Sequence, residues 1–429
     1  MRIISHKARG YAKSVEALNR RAEPASHVEK SVAAIIRAVR SRGDSALFSY
    51  ARKFDKVQLT AETLRVSRAE LRAATKSVSK RTQEIVAAAH RNVTQFAVKS
   101  MRKDWKMKNA QGAEVGEVFQ PFDRVGIYVP GGSAPLVSTS IMTVAIARAA
   151  GVPEIAVCTP CGPDGSINQA LLYALQIAGA TEIYKVGGAH AIAALAWGTA
   201  SIPPVTKIFG PGNSYVVEAK RQAFGVVAID LLPGPSEVLI LADKTGQADW
   251  IAADLLAQAE HGGDSVAGLI SDSLPLINDV KAALKAQLKT LSRQKQLQQS
   301  LKEGCFAVHV PSMAKGLELV NAFAPEHVTL VARNPEPLIP RIRTAGAIFV
   351  GNDSPVAGGD FLAGPSHTLP TGGAGKSFAG LTVDQFQRRT SIVRFDQKSI
   401  RKSAQIIEDF SALEGLDAHG RSATIRLES

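Results

Sequence analysis

Pro325-Glu326-His327 sets a carboxylate beside an imidazole directly after a proline. Glu and His are among the side chains that most often move protons in catalysis. In a regular strand the two would point to opposite faces; in a loop after proline they can converge on one substrate. Gln258-Ala-Glu-His261 closes a segment in which Ile251, Leu255 and Gln258 fall on one helical face, and His261 follows within a turn. Such a pair either grips an ion or is only a polar helix end. Gly358-Gly-Asp360 and Gly364-Pro-Ser-His367 put one more carboxylate and one more imidazole on a Gly-rich stretch, which is either a lid or a binding loop. Glu414 and His419 lie near the end of the chain, a poor place for catalysis. These residues offer Asp/His/Gln metal ligation and a Glu-His acid/base pair. By themselves they name no reaction.

The elements around them set where they can meet. Val125-Gly-Ile-Tyr-Val129 predicts a strand, followed by the turn Pro130-Gly-Gly-Ser-Ala-Pro135 and a helix from about Val137 to Ala150. Strands at 154–158, 182–186 and 207–209 alternate with helices at 167–178 and 191–197. This alternation predicts a parallel sheet covered by helices on both faces. Pro130-Gly-Gly-Ser133 and Gly210-Pro-Gly-Asn213 each follow a strand and precede a helix, where a phosphate can be held or where a tight turn simply reverses the chain. Neither is the G-x-G-x-x-G fingerprint. Further strand-like sequence at Val238–Leu241, a helix at Gln247–Glu260 and a second strand-rich block (306–310, 328–332, 347–350) predict a second α/β unit. Residues 1–105 read as largely helical, with Val28, Val32, Ile35, Ile36 and Val39 at helical spacing and Gly43 as the stop.

The 429 residues suit two or three domains at roughly 150 residues each. With 45% hydrophobic and 21% charged residues the chain is neither disordered nor of low complexity. The most apolar stretch, Ala134 to Cys158, is interrupted by Arg148, Pro153 and Glu154, so no membrane span is expected. The N-terminus lacks a secretory apolar run, and a cytoplasmic location is the expectation. The net charge of +13 lies mostly in the first 105 residues and in 280–302 and 388–402, among helix-period apolar residues rather than stacking aromatics. A solvated basic surface, not nucleic-acid binding, is the reading. Cys158-Thr-Pro-Cys161 has no second pair to complete a zinc site and sits in a Pro/Gly loop, so it reads as structural.

In sequence order the motifs resemble histidinol dehydrogenases over nearly the whole chain. They include Arg42-Gly-Asp-Ser-Ala46, Lys53-Phe-Asp55, Arg124 to Pro135, Gly187-Gly-Ala-His-Ala-Ile-Ala-Ala194 and Lys207-Ile-Phe-Gly-Pro-Gly-Asn213. Leu232-Pro-Gly-Pro-Ser-Glu237, Gln258-Ala-Glu-His261, Pro325-Glu-His327, Gly359-Asp360, Gly364 to Gly373 and the tail from Glu414 to His419 complete the set. The resemblance implies oxidation of L-histidinol to L-histidine through the aldehyde, with two NAD and one zinc per subunit, in a homodimer whose tails cross. It implies zinc ligation by Gln258, His261, Asp360 and His419, proton transfer by His327 and water activation by Glu326. Ser236, His327, His367 and Glu414, with the zinc ligands, match substrate contacts; Tyr128, His190 and Asn213 match NAD-contacting positions. The implied fold is two incomplete Rossmann-like parallel-sheet domains with a helical N-terminal segment and a small C-terminal tail domain. Its divisions are a helical segment 1–24, a first α/β domain from 25–124 plus 240–381 with zinc and the Glu-His pair, an NAD-side domain 125–239 and a tail 382–429.

This chain departs from the family pattern at His190, where glutamine is usual, and at Ser366, where asparagine is common. The competing enzyme reading is a paralogous zinc/NAD dehydrogenase of another polyol or sulfonated diol. From other classes come a zinc hydrolase needing no dinucleotide and a non-catalytic nucleotide- or nucleic-acid-binding protein.

Overall fold

The computed structural model describes residues 1–19, 26–131, 135–262 and 264–428. Gly132 and Ser133 of the first Gly-rich turn, and Gly263, lie outside the described residues. The strands are β1 (Arg2–Ser5), β2 (Trp105–Lys108), β3 (Glu114–Pro121), β4 (Arg124–Tyr128), β5 (Glu154–Cys158), β6 (Glu182–Tyr184) and β7 (Lys207–Phe209). They continue with β8 (Ala228–Ile229), β9 (Glu237–Ala242), β10 (Val266–Ser271), β11 (Cys305–His309), β12 (His327–Val331), β13 (Ala347–Val350) and β14 (Gln387–Arg394).

Two sheets are wholly parallel. One runs β6-β5-β4-β7-β8 and the other β1-β11-β10-β9-β12-β13. Numbered from its own first strand (β4 or β9), each reads 3-2-1-4-5, the dinucleotide-fold order without its sixth strand. The larger sheet gains β1 beyond its third strand. This is the pair of incomplete Rossmann-like units that the family resemblance implied. The third sheet, β14-β3-β2, is antiparallel.

β9 shows why the central strands read as unbroken apolar runs. All six of its residues are buried, because helices cover both faces. Val238, Ile240 and Ala242 face one core with the helices Ala248–Ala259 and Leu274–Gln287, while Leu239 and Leu241 face the other with Met313–Phe323. The two-residue side-chain period of a strand sorts them.

Two expectations about organisation need correction. The helices between Ser26 and Ser100 do not belong with the larger sheet. Val32, Ile36 and Leu47 bury against Ile192, Leu195 and Ala219 on one face of the five-stranded sheet, and Val86, Val93 and Ala97 pack with Val125 and Ile155 on the other. Their apolar stripes need an uncovered face, and the five-stranded unit, with only short helices of its own, supplies two. Nor is the N-terminal segment wholly helical: Arg2–Ser5 adds a parallel edge to β11, Arg2 opposite Phe306 and Ser5 opposite His309. Four residues are too few to show a period. β10, β2, β3 and β14 were likewise not foreseen; β2 and β14 are exposed on most of their length, and β3 is mostly half-buried.

The tail begins on the five-stranded unit, where Phe386 stacks on Phe209 at 3.9 Å and Lys207 Nζ donates to the Gln385 carbonyl at 2.9 Å. After β14, the helices Gln397–Glu414 and Asp417–Thr424 pack on each other around Ile400, Ala404 and Ala423. Val393, Phe410 and Leu413 are left exposed. No helix among the described residues is long and apolar enough to cross a membrane.

Candidate active site

In the larger sheet the strand order reverses between β9 and β12, which are paired with His327 opposite Val238. Ligands in open α/β sheets usually collect at the carboxyl ends of such strands. Here the candidate catalytic residues lie at the amino ends. His327 and Glu237 are the first residues of β12 and β9, and Glu326 and Ser236 immediately precede them. Glu326 Oε2 accepts from Ser236 Oγ at 2.6 Å and from the Glu237 N–H at 2.8 Å. His327 Nδ1 lies 3.2 Å from the Glu237 carbonyl. A carbonyl only accepts, so Nδ1 carries the hydrogen and Nε2 keeps its lone pair. Nε2 is 3.7 Å from Asp360 Oδ1, and Nδ1 is 3.6 Å from Glu326 Oε2. The adjacent carboxylate and imidazole therefore converge, as a post-proline position allows.

Burial dominates the electrostatics. It pushes the Glu326 carboxyl up to about 8, against the lowering effect of the two hydrogen bonds, and the nearby Asp360 carboxylate adds to the rise. Burial also lowers His327, despite the attraction of Asp360, so the ring is neutral near pH 7. Asp360 is itself raised by burial, against the pull of His327. The cluster thus holds an imidazole ready to accept a proton beside a carboxyl that releases one near pH 8.

Gln258 is buried near the end of its helix, as the shared face with Ile251 and Leu255 predicted. Its amide Nε2 has no hydrogen-bond partner, an arrangement that native interiors rarely leave unexplained. The helix Ala248–Ala259 packs against Val356–Phe361, which carries Asp360. His261 is lowered by loss of water and by the neighbouring His327. His367 Nε2 sits 3.3 Å from Thr139 Oγ1 and is held down to about 4 by burial, with His327 and His261 adding small contributions. So Ser236, Gln258, His261, Glu326, His327, Asp360 and His367 gather in one chain. Among the described residues no cluster of three His, Cys, Asp or Glu forms a metal-binding group. Gln258, through its amide oxygen, His261 and Asp360 nevertheless offer the oxygen and nitrogen donors that suit zinc.

Tyr128, His190 and Asn213 instead lie at the carboxyl edge of the five-stranded sheet. Tyr128 ends β4, and its buried hydroxyl accepts the Gly188 N–H at 3.2 Å; burial raises that phenol to about 12. Asn213 Oδ1 caps the helix Ser214–Ala223, accepting from Tyr215 N and Val216 N. His190 is buried against the stacked rings of Tyr50 and Phe54, and neither of its ring nitrogens has a hydrogen-bond partner. Burial drives it down to about 3, and Asp55 Oδ2 stands 3.9 Å away. Both cysteines of the C-x-x-C are free, and burial pushes both thiols up, Cys161 to about 11.

The two edges face each other. Residues 230–236 alone connect β8 to β9, and seven residues reach roughly 23 Å at most. Thr139, in the helical turn after β4, reaches His367, and Asn92 Nδ2 donates to the Leu362 carbonyl at 2.9 Å. Glu414 and His419 are not brought to this cleft within one chain; both are exposed on the tail helices. Thr139, Asp55 and the Glu237 carbonyl were missed by sequence reasoning. Thr139 carried no motif, Asp55 lay in the Lys53-Phe-Asp55 motif without a role attached to it, and a main-chain acceptor carries no side-chain signal.

The profile of the family described as histidinol dehydrogenase matches residues 18–427. The chain belongs to the histidinol dehydrogenase family. It is 43% identical to the histidinol dehydrogenase of Synechococcus sp. over 430 aligned positions, covering all of this chain and 99% of the relative. The corresponding protein of Syntrophotalea carbinolica is 41% identical, again over the whole of this chain and 99% of its own length. The crystal structure of histidinol dehydrogenase from Elizabethkingia anophelis superposes with a TM-score of 0.95 at 35% identity, covering 100% of this chain and 98% of that one. As a family member matched end to end, the chain is an oxidoreductase.

Proposed function

We propose that this chain oxidises L-histidinol to L-histidine through the aldehyde, using two NAD, one water and one zinc per subunit, as the last steps of histidine biosynthesis. The observation that carries the reading is the Ser236–Glu326–His327 cluster, with its fixed tautomer and with Asp360 Oδ1 3.7 Å from His327 Nε2, beside the helix that buries Gln258. Gln258, His261 and Asp360 would hold the cation, with His419 of a second copy completing the set. Tyr128, His190 and Asn213 would lie along the dinucleotide. When bound, zinc would supply a Lewis acid that orients a nitrogen-bearing substrate, and NAD would supply the two-electron hydride acceptor.

The chain's own residues do the rest. His327 Nε2, bare and neutral, takes the hydroxyl proton as the first hydride leaves, while the Glu237 carbonyl steadies the imidazolium through Nδ1–H. Glu326, once ionised, removes a proton from the water that adds to the aldehyde; Ser236 keeps that carboxylate oriented. Glu414 from the second copy's tail would meet the substrate's amine, and His367 its imidazole end. The exposed Val393, Phe410 and Leu413 support tail exchange in a homodimer, since apolar side chains so placed gain by burial against a partner.

Two measurements test the reading. NADH formed per histidinol should be two, falling to none after chelation and returning with zinc; one NADH, or chelator-resistant turnover, refutes it. Starting from histidinal instead, the rate should rise with pH through about 8, because the basic form of Glu326 is lost below that value. A histidinal rate that is flat from pH 6 to 9 would remove Glu326 as the base.

A further inference from the structure

Lys220, in the helix Ser214–Ala223, pairs with Asp230, the residue after β8, and both side chains are wholly buried. The proposed mechanism uses neither. Between them they hold both main-chain groups of one residue: Lys220 Nζ donates to the Gly210 carbonyl at 3.0 Å, and Asp230 Oδ2 accepts the Gly210 N–H at 2.8 Å. Gly210 cannot be anything else. Its φ is +108°, and a Cβ there would lie 2.0 Å from the Tyr128 carbonyl oxygen. A buried ion pair is poor evidence of stabilisation, since apolar residues of like volume often serve as well. The geometry that this pair imposes is what calls for a cause.

That geometry has two ends. Gly210 opens the turn leading to Asn213, beside Tyr128, at the carboxyl edge of the five-stranded sheet. Asp230 opens the crossover whose last residue, Ser236, holds Glu326, and midway Gly234 N donates to Thr371 Oγ1. We propose that Lys220 and Asp230 are positioning residues that lock the Gly210–Asn213 turn to the start of this crossover, setting the dinucleotide's place relative to the catalytic carboxylate. The inference rests on the reading of that edge as the NAD site.

The test is Lys220→Met in the full-length, zinc-loaded protein, with NAD binding followed by calorimetry. The Kd for NAD should rise about tenfold, because a site no longer held in its binding geometry must be ordered at the expense of affinity. Zinc content and the KM for histidinol at saturating NAD should stay within about twofold. Asp230→Asn, which keeps size and an acceptor for Gly210 N–H but not the charge that Lys220 meets, should show the same split, and it carries the test if Lys220→Met does not fold. NAD binding unchanged in a folded variant overturns the proposal. So does a parallel fall in NAD, zinc and histidinol affinity, which would mark a merely structural pair. Wild-type protein that fails to bind NAD would instead refute the underlying reading of the edge.

Discussion

Replacing His327 with alanine should lower the turnover of histidinol by about two to four orders of magnitude, the usual worth of a positioned general base. The side chain is buried at the start of β12, its Nδ1–H committed to the Glu237 carbonyl and its Nε2 free toward Asp360. Among the described residues no other imidazole is shown in the same relation to the Glu326 carboxyl: His367 is engaged with Thr139, and His261 follows the helix of Gln258, its main-chain N–H donating to the Gln258 carbonyl. Zinc content should be unchanged, because His327 is not among the proposed ligands. His327→Asn should be as poor as alanine, since an amide can replace the hydrogen bond to Glu237 but cannot take a proton. Retained turnover in either variant, or loss of zinc from both, would be decisive against the assignment.

His419→Ala should abolish activity by the opposite route, through loss of zinc. The residue is exposed on the second tail helix and away from Gln258, His261 and Asp360 of its own chain. A second subunit must therefore supply it if it is a ligand at all. This makes a mixing experiment sharp. Dimers reassembled from equal amounts of His327→Ala and His419→Ala chains would each lack one component, yet the hybrid would contain one complete site. Random pairing makes half the dimers hybrids with one working site of two, so about a quarter of wild-type activity should return. No recovery on mixing, with reassembly verified by a mass-tagged chain, would place all ligands within one subunit.

How much of this was legible beforehand depended on the kind of signal. The alternation of apolar strands and helices from Arg124 onward announced two parallel sheets, because buried parallel strands such as β5 and β9 are apolar on both faces. The face shared by Ile251, Leu255 and Gln258 correctly turned the amide inward. Partnership between elements was not legible. The helices of the first hundred residues carry an apolar stripe but no label for the sheet it must cover, so they were assigned to the wrong unit. The edge strands β1 and β14 form where another strand waits, and their own residues do not declare it. The convergence of Glu326 and His327 was conditional on local backbone, and Asp55 and Thr139 are useful only through neighbours that the chain brings from more than a hundred residues away.

The seven-residue crossover between the sheets has a mechanical corollary. Fastened at Asp230 by Lys220 and at Ser236 by Glu326, it leaves little slack for the hinge rotation by which two-domain proteins often open and shut. Traffic in and out of the cleft should then depend on small excursions of peripheral segments, while the two halves travel as one rigid frame. Solution scattering profiles recorded with and without reactants should nearly superimpose, and a marked contraction on loading would show that the strut bends.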